Sequence, residues 1–136
     1  MAVSLDGVQV RVEHDGDVVA ARQKGREMAA HVGFSGSDLT IIATAISEIA
    51  RNIVVYAKHG DVTLAPLAEG GRRGILVVAQ DSGPGIPNVE QAMRDGFSTG
   101  KSLGLGLPGA RRLMDEFEIS SQVGVGTTVT MRKWVR

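Results

Sequence analysis

GFSTGKSLGLGLPGARRLM, residues 96–114, combines two phosphate-binding patterns in one run. Gly100-Lys101-Ser102 resembles the end of a P-loop, and Gly104, Gly106 and Gly109 spell G-x-G-x-x-G. A P-loop needs G-x-x-x-x-G-K-[ST] between a strand and a helix, because its backbone N–H groups must wrap around phosphates. Here the upstream glycine is Gly96, so the loop is one residue short, and a helical pattern rather than a strand precedes it. The P-loop is excluded. A dinucleotide fingerprint needs a preceding strand and an acidic residue about 20 positions further on. No Asp or Glu follows Glu118, so that reading fails as well. What remains is a glycine-rich loop feeding a helix with Pro108 in its first turn. Such a helix start offers unpaired backbone donors and a positive dipole end, suited to a triphosphate, with Lys101 adding a point charge. A plain mobile loop with packing glycines fits this stretch equally well.

Upstream, Leu39, Ile42, Ile46, Ile49 and Ile53 recur at helical spacing from an N-cap at Ser37 to about Tyr56. Glu48 and Asn52 share the opposite side, four residues apart, so both heads lie over one spot. A carboxylate there can orient or deprotonate a hydroxyl nucleophile, and an amide oxygen can ligate Mg²⁺. The alternative is a solvated helix face. AQDSGPGIP, residues 79–87, follows the most apolar strand. Asp81 there can accept a hydrogen bond from the exocyclic amine of adenine, and Gly83 and Gly85 would let the ring approach the backbone. An ordinary capped turn is the plainer reading. Near the end, Gly124-Val125-Gly126-Thr127-Thr128 reads as a hairpin turn with hydroxyls within reach of a ring edge.

The rest of the chain supplies a frame. Val8, Val10 and Val12 alternate as a first strand, and a helix follows from Asp17 to a stop at Gly33. VTLAPL and GILVVAQ flank the turn-rich AEGGRR as an antiparallel hairpin, with Pro66 at an edge or bulge. A short helix near Val89 to Arg94, a helix from Pro108 to about Phe117, and the strands FEISSQ and TTVTMRKW complete the order. The expected fold is α+β, a two-layer sandwich with helices on one face of a mostly antiparallel sheet, in a single domain spanning residues 1–136.

Composition narrows the partners. Fifteen basic residues balance fifteen acidic ones, so overall charge gives no reason to expect nucleic acid or an anionic membrane. The absence of cysteine excludes disulfides, thiolate metal sites and a cysteine nucleophile. No apolar run is expected to reach the roughly 18 residues of a membrane span, so a cytoplasmic location is expected. Nine of the 18 glycines lie between Gly83 and Gly126, where loops are shaped. His14, His31 and His59 are scattered without ligand spacing and read as surface or loop residues; Arg51 reads as a surface ion-pair partner and Trp134 as packing.

Four signals in one order, a Glu/Asn helix, D-x-G-x-G, a G-x-G loop and G-T, carry more than each alone. Through EIARN, DSGPGIP, SLGLGLP and GTT, over nearly the whole chain, the sequence resembles the GHKL superfamily with its Bergerat ATPase fold. It is most similar to the small bacterial serine/threonine kinases of partner-switching pathways, through TAISEIARNIVVYA and DGFSTGKSLGLGLPGARRLMDEF. The resemblance implies ATP and Mg²⁺ as cofactors. By position it makes Glu48 the catalytic carboxylate, Asn52 the Mg²⁺ ligand and Asp81 the adenine reader. Gly83 and Gly85 belong to the adenine pocket. Gly100, Lys101, Ser102, Gly104, Leu105 and Gly106 belong to the lid over the phosphates, and Thr127 contacts adenine. It further implies phosphorylation of STAS-domain antagonist and scaffold proteins of a stressosome, and activation of a PP2C-type phosphatase by binding. An ATP-gated binding module of anti-sigma type without useful catalysis is the rival expectation. A detached histidine-kinase ATPase domain is disfavoured, because the chain has no room for a dimerisation helix pair.

Overall fold

The computed structural model describes residues 7–94 and 106–136. Strand β1 (Val8–Val12) leads into helix α1 (Asp15–Val32) and helix α2 (Ser37–Asn52). A π turn (Ile53–Ala57) continues α2 before β2 (Gly60–Glu69) and β3 (Arg72–Asp81). Helices α3 (Val89–Ala92) and α4 (Gly106–Leu113) precede β4 (Glu116–Gln122) and β5 (Gly126–Trp134). The five strands form one antiparallel sheet in the order β1-β2-β3-β5-β4. This is the expected α+β arrangement.

Alternation decides which face of the sheet is covered. Val62, Leu64, Ile75, Val77, Ala79, Val129 and Met131 are buried, and they meet the isoleucine stripe Ile42, Ile46, Ile49 and Ile53 of α2. On α1, Ala21, Gly25 and Ala29 are buried at four-residue spacing. A Cβ at Gly25 would overlap the Ile46 Cδ1, so the missing side chain in mid-helix is what lets α1 and α2 lie close. Pro66 pairs with Ile75 of β3, whereas β1 pairs with β2 only over residues 60–64, so the missing N–H of Pro66 interrupts no β1 ladder. Ser37–Ala57 is long and apolar enough by length and composition to cross a membrane, contrary to expectation. Its apolar stripe is, however, the centre of the core.

Element ends depart from the sequence reading for local reasons. Helix α1 starts two residues early because the His14 ring nitrogen accepts from the Gly16 N–H while the Asp17 carboxylate accepts from the backbone N–H groups of Glu13 and His14. The N-cap of α2 is Gly36, at φ 61°, not Ser37. Helix α4 ends at Leu113, and Phe117 lies in β4. Asp115 makes that stop: its carboxylate accepts the Trp134 backbone N–H at 2.8 Å, and its own N–H bonds the Arg132 carbonyl. Trp134 is buried, with Nε1 donating to Glu116 and the Arg72 guanidinium stacked 4.0 Å from the ring centroid.

Candidate nucleotide site

Between α2 and the sheet lies a cavity of about 360 Å³, within the size range of small-molecule sites. Its walls are apolar: Ile49 and Ile53 from the helix, Ala79 and Val129 from the sheet, Ile86 and Leu107 from the loops. Asn52, Asp81, Gly85, Gly106 and Thr127 line it together. Segments far apart in sequence thus supply one chamber. A flat apolar slot with a few polar groups at one end suits a purine better than a sugar or a peptide.

Asp81 is the last residue of β3, paired with Thr127 on one side and Gly60 on the other. Its Oδ1 accepts the Gly83 N–H at 2.9 Å and the Thr127 N–H at 3.3 Å. Both bonds use the same oxygen, which leaves Oδ2 as an acceptor toward the cavity that Asp81 lines. The glycines around it answer to packing. Gly83 is absent from the cavity wall; a Cβ there would come 2.6 Å from the Ala57 Cβ, at the end of the π turn. Gly85 has φ 79°, and a Cβ there would overlap the Gln122 carbonyl. At Gly126, with φ 144°, a Cβ would overlap the Asp81 carbonyl oxygen. Gly126→Ala is therefore expected to destabilise the protein by about 2 kcal/mol or more, adding that overlap to a strained backbone. A urea midpoint unchanged from the parent would refute this.

The helix side is arranged differently. Asn52 faces the cavity at the last position of α2, whereas Glu48, one turn earlier, is absent from its wall. The Glu48 side chain is only 14% exposed and meets the Arg51 guanidinium at 3.4 Å, so Arg51 is the expected ion-pair partner of this particular carboxylate. The π turn brings Tyr56 and Ala57 to the cavity. Lys58, at φ 77°, closes it with an N–H bond to the Ile53 carbonyl at 2.8 Å. Gly106, Leu107 and Pro108 place the first turn of α4 against the same space. Gly100, Lys101, Ser102, Gly104 and Leu105 lie outside the described residues. Among the described residues, no cluster of three or more His, Cys, Asp or Glu forms a metal site.

Sequence reasoning missed Ser121, Ile86 and Tyr56. Ser121 Oγ accepts the Ile86 N–H at 2.8 Å and lies 2.8 Å from Thr127 Oγ1. A serine in the run FEISSQ carries no signal of its own, since its partner Ile86 is 35 residues away.

This sheet, the helix pair over one face and the chamber between them define the class: the chain belongs to the histidine kinase-like ATPase domain family, whose pattern matches residues 11–133. It is 49% identical over 127 residues to the serine/threonine-protein kinase RsbT of Bacillus subtilis (strain 168), covering 93% of this chain and 96% of that protein. It is 31% identical over 121 residues to the anti-sigma F factor of Thermoanaerobacter sp. (strain X514), covering 85% and 83% of the two chains. The solved structure of the mycobacterial sensor histidine kinase MprB matches with a TM-score of 0.57 at 17% identity, over 95% of this chain and 99% of that one. That last likeness concerns the fold.

Proposed function

We propose that this protein transfers the γ-phosphoryl group of Mg-ATP to a serine or threonine of a STAS-domain protein in a cytoplasmic partner-switching pathway. That it is a protein serine/threonine kinase rests on the 49% identity to RsbT across 93% of the chain. The observation that carries the nucleotide reading is the convergence of Asp81 and Thr127 on one end of an apolar cavity with Asn52 on its helix side.

The residues fit the group. The acceptor Oδ2 of Asp81 meets the adenine amine, and Ile49, Ile53, Ile86 and Val129 supply the apolar faces for the ring. Asn52 offers an amide oxygen to Mg²⁺, which takes few protein ligands and keeps waters and phosphate oxygens. The first turn of α4 directs its free N–H groups and dipole at an anion. Gly100, Lys101, Ser102, Gly104 and Leu105 belong to the lid in this proposal. Bound Mg-ATP supplies an activated phosphoryl group whose charge the metal offsets. Glu48 orients the incoming hydroxyl and takes its proton. Further partners in this reading are a stressosome scaffold and antagonist, both STAS-domain proteins, and the regulatory part of a PP2C-type phosphatase.

A second reading, an ATP-gated binding module, draws support from the 31% identity to an anti-sigma F factor. One experiment separates the two. Mixing the protein with Mg-ATP and a purified STAS-domain partner is expected to place acid-stable phosphate on the partner. Binding of both without transfer favours the gating module.

A further inference from the structure

Ser121 has no part in the function proposed above, yet it connects two walls of the cavity. It lies on β4 and faces the helices. Its Oγ accepts the Ile86 N–H at 2.8 Å, meets Thr127 Oγ1 at 2.8 Å and lies 3.2 Å from the Gly126 carbonyl oxygen. A hydroxyl has one proton and two lone pairs. The Ile86 N–H occupies one lone pair, so one proton and one lone pair serve the other two neighbours. The Gly126 carbonyl can only accept. If Ser121 donates to it, Thr127 must donate to Ser121 and keeps only lone pairs for the cavity. If Ser121 donates to Thr127 instead, the Thr127 proton is released to the cavity. The separations favour the second arrangement, because 2.8 Å is an ordinary O–H···O distance and 3.2 Å is long for one.

We propose that Ser121 is a positioning residue for base recognition. It holds the Thr127 side chain against the cavity and turns the Thr127 proton toward an acceptor nitrogen on the base edge, and the Ile86 N–H anchors Ser121 itself. The proposal rests on the purine reading of the cavity. The adenine edge presents an amine donor beside a ring-nitrogen acceptor, which Asp81 as acceptor and Thr127 as donor match in order. Hypoxanthine presents the reverse, a carbonyl acceptor beside an N–H donor. Ser121 therefore contributes to the choice of base without lining the cavity.

A double-mutant cycle read by calorimetry with Mg-ADP and Mg-IDP tests this on the full chain. Ser121→Ala is expected to weaken ADP binding by about three- to tenfold, the net worth of one hydrogen bond, and to lower the preference for ADP over IDP. In the Thr127→Val background the same change is expected to alter ADP affinity less than about twofold. Ser121→Thr, which retains the hydroxyl, is expected to restore both affinity and preference. Equal losses in the two backgrounds, no loss in either, or a Ser121→Thr protein as weak as Ser121→Ala would overturn the proposal. If Ser121→Ala does not fold, Ser121→Cys carries the same cycle under the same criterion. Failure of the unaltered protein to bind ADP overturns the purine reading itself; binding without coupling overturns only the role of Ser121.

Discussion

Glu48→Ala is expected to lower phosphotransfer to a STAS-domain partner by about 10²- to 10⁴-fold, the usual range for a general base. The dissociation constant for Mg-ADP should change by less than about threefold, since one truncated side chain off the cavity wall removes no direct contact to the base. Glu48 lies one helical turn before Asn52, close enough to act beside the metal position and outside the wall that holds the ring. Its pairing with Arg51 at 3.4 Å contributes little stability, because the arginine side chain is 53% exposed. The folded state should therefore survive the change. Single-turnover transfer measured beside calorimetry checks both halves. Parallel loss of transfer and of nucleotide affinity would show that Glu48 supports the pocket and not the chemistry.

The mirror-image result is expected at Asp81. Asp81→Asn should weaken Mg-ADP binding by about 10- to 100-fold, the range for losing a hydrogen bond to a charged group. The asparagine carbonyl can take over both bonds now made by Oδ1, to the Gly83 and Thr127 N–H groups, so the turn is preserved. What changes is the second head atom. An NH₂ donor replaces the Oδ2 acceptor and faces the adenine amine, donor against donor. Transfer at saturating ATP should recover much of the parent rate, in contrast to Glu48→Ala. An unchanged dissociation constant, in a protein with an unchanged melting temperature, would remove Asp81 from the base site.

Much of this architecture was readable from pattern. The isoleucine stripe of α2 and the alternation in β2, β3 and β5 follow from period alone, and burial of Ile42, Ile46, Val62 and Val77 agrees with it. The order of motifs pointed to Asn52, Asp81, Gly85, Gly106 and Thr127, and these residues line a common cavity. Other features have no local signature. Gly25 reads as a weak point in a helix until Ile46 is placed against it. Gly83 reads as room for a ring, whereas its neighbour is Ala57. Ser121 acquires meaning only when β4 is paired with β5 and the loop carrying Ile86 folds over both. Helix ends were misplaced where side chains set them, at His14 and Asp115.

The π turn after Asn52 makes the spacing from Asn52 to Gly60 a matter of counting as well as chemistry. A wider turn holds one residue more than an α-helical one, and each residue of an α-helix advances the azimuth by about 100°. A homologue lacking one position between Ile53 and Ala57 would swing Tyr56 and Ala57 a quarter-circle away from Gly83, however well its amino-acid types were retained. Gap placement in this short interval is thus a physical readout: chains of equal length here share the chamber's geometry, and chains that differ by one do not.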